Sequence, residues 1–219
     1  MATRLLLGEL VVAHTACSGQ AVHIESVGGV DAARRVVAGE AFDVVVLASD
    51  AIDTLISTGH LRADSKVDLV HSGVAVAVRA GTPPPDISSE DAVRQAVLTA
   101  NTLAYSTGPS GGALAQQFDR WGITQQIQPR LVTAPPGVPV GSLVASGAVA
   151  LGFQQLSELL HVEGIAIVGP LPPAIQITTT FSAAITTACT RVADAQALLA
   201  YMASSDAAAA KRRQGMVPV

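Results

Sequence analysis

Ala104-Tyr105-Ser106-Thr107-Gly108-Pro109-Ser110-Gly111-Gly112-Ala113-Leu114-Ala115 reads as a strand end, a small polar turn and a helix start. Ser106, Thr107 and Ser110 bring hydroxyls, and the glycines let backbone N–H groups approach a ligand. A helix start behind such a turn offers unpaired N–H groups and about half a positive charge to an anion. A plain turn with a helix cap has the same composition. The neighbours of this stretch therefore decide its meaning.

Working outward, the same strand–turn–helix rhythm recurs on both sides. Upstream, residues 2–16 have helical spacing and Gly19 ends them, while Val22-His23-Ile24-Glu25-Ser26 alternates like a strand. Gly28-Gly29 turns into a helix over 30–38, and residues 42–47 form a short apolar run of the kind buried on both faces. Ala48-Ser49-Asp50 leads into a helix over 51–58, and residues 73–78 are another buried strand. Gly81-Thr82-Pro83-Pro84-Pro85 is a rigid connector, and Ser88 with Asp91 has the form of a capping box for a helix ending near Ala100.

Downstream, the helix from Gly111 stops at Gly122. Strands are expected at 129–133, 149–153 and 165–168, with a helix over 140–146 and Gln154-Gln155-Leu156-Ser157-Glu158 after the second strand. Gly169-Pro170-Leu171-Pro172-Pro173 is a second rigid connector, residues 175–187 are β-type, and helices over 192–203 and 205–214 close the chain. The two proline-rich passages predict two lobes: 1–82 with 174–219, and 83–173. Two connecting strands would then leave a hinged cleft between the lobes.

Composition limits the function. The chain has 219 residues, 49% hydrophobic and 3% aromatic, and a net charge of −4; mean hydropathy is +0.44. This supports a folded α/β protein with an Ala- and Val-rich core, and it argues against nucleic-acid binding. No apolar run is long enough to span a membrane. No convincing export signal follows Arg4, so the sequence as written implies the cytoplasm, or the periplasm if a signal-bearing segment precedes it. Cys17 and Cys189 share no metal or redox spacing and read as buried small hydrophobes. His14, His23, His60, His71 and His161 have no metal-ligand spacing and fall outside the polar turns. Neither a metal nor a cofactor is expected. Arg34 and Arg35 read as helix-face charges, Arg130 as a strand-end charge, and Lys211-Arg212-Arg213 as a solvated helix end.

In parallel α/β sheets, ligands bind at the carboxyl ends of strands. The turns expected there are Ser26–Gly29, Ala48–Asp50, Ser106–Gly112 and Gln154–Ser157. They are small, mostly uncharged and rich in hydroxyl, amide and N–H groups. That chemistry suits an anion held by hydrogen bonds.

Together these stretches resemble the type II periplasmic-binding-protein fold, in particular the molybdate-binding-protein group. The likeness rests on residues 39–47, Tyr105 to Gly111, 151–159 and Val168-Gly169-Pro170-Leu171-Pro172. Residues 152–159 and 169–172 look closest to the branch containing aconitate isomerase. The resemblance implies two lobes, each a mainly parallel sheet flanked by helices, and a first strand and ligand loop that are missing, since Met1-Ala2-Thr3-Arg4 stands where that loop would end. It implies ligand contacts at Gly28 or Gly29, Ser110, Val140 and Gln155. Adding the turn chemistry gives Ser49, Ser106, Thr107, Gly111, Gln154 and Ser157. Molybdate binders usually carry a tyrosine where Gln155 stands and a serine near Gly29, and an amide suits a carboxylate at least as well.

Three functions fit. The first is binding a di- or tricarboxylate or an oxyanion, with an ABC transporter as partner only if the protein is exported. The second is an aconitate isomerase-like enzyme that shifts a double bond by proton transfer, for which Glu158 and Asp50 are the carboxylates beside the turns. Both also read as helix-start charges. The third is a cytosolic ligand sensor.

Overall fold

A helix whose buried residues are Leu6, Leu7, Leu10 and His14 opens the chain: α1 (Arg4–Ser18), with Gly19 taking the left-handed conformation past its end at φ 72°. The computed structural model describes residues 2–135 and 137–219. After α1 come α2 (Gly29–Val37), β1 (Val44–Ala48), α3 (Ser49–Ser57) and the long strand β2 (Val67–Arg79). Then follow α4 (Glu90–Thr99), β3 (Leu103–Ser106), α5 (Pro109–Arg120), α6 (Thr124–Ile127), β4 (Leu131–Ala134) and α7 (Val140–Ala145). The chain continues with β5 (Leu151–Gln155), α8 (Leu156–Leu159), β6 (Ile165–Pro170), β7 (Thr178–Ile185), α9 (Val192–Ala203), α10 (Ala208–Arg213) and β8 (Val217–Pro218).

Two compact units result, Met1–Ser72 with Thr179–Val219, and Gly73–Thr178. The chain passes between them inside β2 and inside β7. Both proline passages belong to the second unit.

In the first unit, β1 runs antiparallel to β7 and β2 antiparallel to β8. The parallel sheet expected here is therefore replaced, in these ladders, by antiparallel pairing. β7 enters from the second unit and lies against β1 head to tail, with Val46 opposite Ala183. One core joins Leu6, Leu10, Leu69, Val70, Leu199, Met202 and Met216 beneath α1, α9 and α10. Another joins Val36, Val45, Leu47, Ile52 and Leu55 under α2 and α3.

The alternating segment 22–26 is not a strand. It is an irregular segment with Ile24 42% exposed. Alternation makes a strand only where a neighbour supplies a ladder, and the described pairing of β1 is with β7.

In the second unit, β3 lies between β5 and β4 and is parallel to both. β2 borders this set antiparallel to β5, and it also pairs with β6. One face packs Val93, Val97, Leu114, Phe118 and Phe153, with the rings of Phe118 and Phe153 edge-on at 6.3 Å. Another cluster packs Ala104, Ala134, Val140, Val144 and Val149. Helices on both faces explain the apolar runs of these strands.

Several local expectations are corrected. The cap of α4 is Ser89, which accepts from the Ala92 N–H at 3.1 Å; Ser88 instead donates its own N–H to Asp86. Cys17 is exposed, and both cysteines are free thiols. Lys211 is 1% exposed, because α10 turns it inward from its solvated neighbours Arg212 and Arg213.

Candidate functional site

The three parallel strands of the second unit end at one edge, and each feeds a helix start. β3 leads through Thr107 and Gly108 into α5, β4 leads towards α7, and β5 leads directly into α8. Tyr105 is in register with Phe153, and Ser106 with Ala134. The turns that follow Ser106 and Gln155 thus start on adjacent strands.

The α5 turn is folded tightly back on its strand. A Cβ placed on Gly111 would lie 1.7 Å from the Ser106 carbonyl oxygen and 2.9 Å from the Tyr105 ring. Only glycine permits that approach. No side chain caps α5; its cap position is Gly108, and Pro109 carries no N–H to satisfy. Ser110 is 5% exposed at the second helical position, Ser106 is half-buried, and Thr107 is exposed.

Val140 is fully buried, with its side chain in the core, so only its backbone is available to a ligand. The next N–H, that of Gly141, is taken by the Gln154 side chain, whose Oε1 accepts it at 3.3 Å. The Gln154 amide also donates to Glu158. Gln154, expected as a ligand contact, thus ties α7 to α8 inside the protein.

Gln155 is buried and sits opposite Val74 in the ladder. Ser157 is 6% exposed, and its hydroxyl has no hydrogen-bond partner among the described residues. A buried hydroxyl left unpaired costs free energy of about 1–3 kcal/mol that a ligand would recover. Burial pushes the Glu158 carboxyl above its usual value, and the bond from Gln154 is the smaller of the influences that oppose it. No lysine or arginine lies within the turns 106–112, 135–141 or 154–158.

The first-unit turns are different. Gly28 is the cap position of α2 and Gly29 its first residue, with Gly29 exposed. Ser49 is the first residue of α3 and is half-buried. Asp50 is exposed and its carboxylate accepts from the Ala51 N–H, so it serves its own helix start. Asp50 lines a shallow groove between α2 and α3 with Arg34, Thr54 and His60.

The remaining candidates are engaged elsewhere. His14 is buried and bonded to Gln20, and His71 is bonded to Thr180. Arg34 pairs with Asp31, and Arg35 with Glu25 and Glu40. Arg130 donates to the carbonyls of Leu98 and Ala100, where it completes the end of α4. Among the described residues no His, Cys, Asp or Glu cluster could hold a metal ion, and no helix is long and apolar enough to cross a membrane.

The model of the bacterial extracellular solute-binding protein family matches residues 1–217. The chain belongs to that family. An aconitate isomerase from Pseudomonas sp is 42% identical over 186 residues, which is 84% of this chain and 71% of that protein. Among solved structures, the periplasmic molybdate-binding protein of Azotobacter vinelandii superposes with a TM-score of 0.80 at 23% identity, covering 99% of this chain and 95% of that one. The substrate-binding domain of a molybdenum ABC transporter protein from Clostridium difficile gives 0.77 at 15% identity, covering 100% and 95%. The type II binding-protein fold expected from the sequence is therefore the fold of this family member.

Proposed function

We propose that this solute-binding family member takes a small polycarboxylate at the carboxyl edge of its second sheet. The observation that carries this reading is that three helix-start turns without lysine or arginine follow adjacent strands, with the Ser157 hydroxyl buried and without a hydrogen-bond partner among the described residues. Hydroxyls, amides and N–H groups would bind the carboxylates, as helix starts bind anions generally. The identity to an aconitate isomerase supports a tricarboxylate over a tetrahedral oxyanion. A thermal-shift panel of cis-aconitate, trans-aconitate, citrate, molybdate, tungstate, sulfate and phosphate tests it. A tricarboxylate at about 100 times its Kd adds about 2.7 kcal/mol to stability. A shift with oxyanions alone overturns the carboxylate reading.

The second reading is catalytic: an isomerase that moves a double bond within such a ligand. The raised pKa of Glu158 beside the donor turns favours it, because a carboxyl group that titrates nearer neutral pH both accepts and returns a proton. Interconversion of cis- and trans-aconitate, followed by ultraviolet absorbance, is the assay. Thermal shift without interconversion leaves a binder only.

A further inference from the structure

We propose that the outer face of α2, with the groove beside it, is an interface between two copies of this chain related by a two-fold axis. The inference is independent of the polycarboxylate reading, since it uses first-unit residues alone.

Helix α2 is apolar on two sides. Inward, Val36 joins Val45, Leu47 and Ile52, and Ala32 packs against them. Outward, Val30, Arg34 and Val37 follow one another at four and three residues, which puts them on one stripe. Val30 is 82% exposed and Val37 53%. Single exposed valines are ordinary, but two on one stripe beside a groove mark a contact face. The groove, of about 510 Å³, lies between α2 and α3, and Ala33, Val37, Ala51 and Leu55 supply its apolar lining. Alanines on both walls let another helix approach closely.

The occupant that fits is a second copy, because ridge and groove adjoin on one face. A two-fold rotation seats Val30 and Val37 of each copy in the groove of the other, which is the self-complementary form of a closed dimer. The charges agree with that operator. Arg34 stands on the α2 wall with its side chain 76% exposed, and exposed Asp50 stands on the α3 wall. The rotation brings Arg34 of one copy to Asp50 of the other, twice. A partner of a single charge sign would meet its like on one wall. Arg34 also pairs with Asp31 of its own helix at 2.8 Å, and a guanidinium has donors enough for both carboxylates. Asp50 accepts the Ala51 N–H through Oδ1, and a carboxylate has acceptor capacity beyond that bond.

Sedimentation velocity on the whole chain tests this. Wild type is expected to rise from 22.2 kDa towards twice that mass. Its expected Kd is about 10–100 μM, in keeping with an interface at the small, transient end of the range. Val30→Glu changes a site too exposed to disturb folding, and it is expected to weaken association about 30-fold or more. Arg34→Asp and Asp50→Arg are each expected to weaken it about 5- to 10-fold, and the double variant to return within about threefold of wild type. Urea unfolding checks that each variant is folded. Wild type that stays monomeric up to about 500 μM, well above the Kd expected for such an interface, overturns the inference in favour of a different occupant. A dimer indifferent to Val30→Glu overturns it in favour of another face. A double variant as weak as the single ones overturns the two-fold arrangement.

Discussion

The turns of the two units share composition but not condition. In the second unit, Gly111 meets the Ser106 carbonyl at a distance no side chain allows, Ser110 and Ser157 are buried, and the Ser157 hydroxyl has no partner among the described residues. In the first unit, Gly29 is exposed with its nearest contact to a built Cβ at 3.7 Å, and Asp50 satisfies its own helix. Small polar residues at a helix start are common in both places. What sets a ligand-ready turn apart is close backbone approach together with polar atoms that are dry and unused.

The sharpest way to break this contrast is a methyl group. Gly111→Ala is expected to cost about 3 kcal/mol or more, because backbone must move to admit the Cβ. Gly29→Ala is expected to stay within about 0.5 kcal/mol, since 3.7 Å is ordinary contact. Urea unfolding compares the two; equal costs would mean that the second-unit turn is not the tighter one.

Desolvation shifts Lys211 in the first unit and Glu158 in the second, and their pH signatures oppose each other. Lys211 is 1% exposed, and burial lowers its pKa below the ordinary 10.5. The unfolded chain then binds the proton more readily, so this contribution to stability falls as pH drops from 10.5 towards the lowered value. Glu158 is raised above 4.5, so the folded chain binds the proton more readily and its contribution falls as pH rises beyond 4.5. Lys211→Met is expected to gain about 1 kcal/mol at neutral pH and to flatten the alkaline slope. Glu158→Gln is expected to flatten the slope above pH 4.5. Denaturation series across pH measure both, and unchanged slopes would show that neither group is desolvated.

The smallest effect separates binding from folding. Ser157→Ala removes a hydroxyl with no partner among the described residues, so stability is expected to hold or to rise by less than about 1 kcal/mol. Aconitate affinity is expected to weaken about tenfold, the equivalent of one hydrogen bond of about 1.4 kcal/mol. Ser49→Ala is expected to change neither stability nor affinity measurably. Calorimetry on both variants decides whether the hydroxyl contacts the ligand.

Much of this was legible in the chain. Ser106 to Gly112 announced strand, turn and helix because those preferences are local, and the apolar runs of β1 and β3 marked strands covered on both faces. The first half of β2, Val67-Asp68-Leu69-Val70-His71-Ser72, was not legible as strand, since its mixed polarity is resolved only by the neighbours it pairs with. The segment 22–26 failed in the opposite way, with strand-like alternation and no ladder. Gln154 read as a ligand group because its bond to the Gly141 N–H spans two helix starts and leaves no local signature.

The sequence by itself determined the order of most elements, the small, mostly uncharged character of the turns and the lack of lysine and arginine within them, because these follow from local preference and composition. Only the tertiary structure decided which strands lie side by side, that Ser157 is buried without a partner among the described residues, that burial raises the Glu158 pKa, and that Lys211 turns inward from a basic run. Burial and hydrogen-bond satisfaction are sums over distant parts of the chain. The same serine, glutamate or lysine takes opposite roles according to what packs against it.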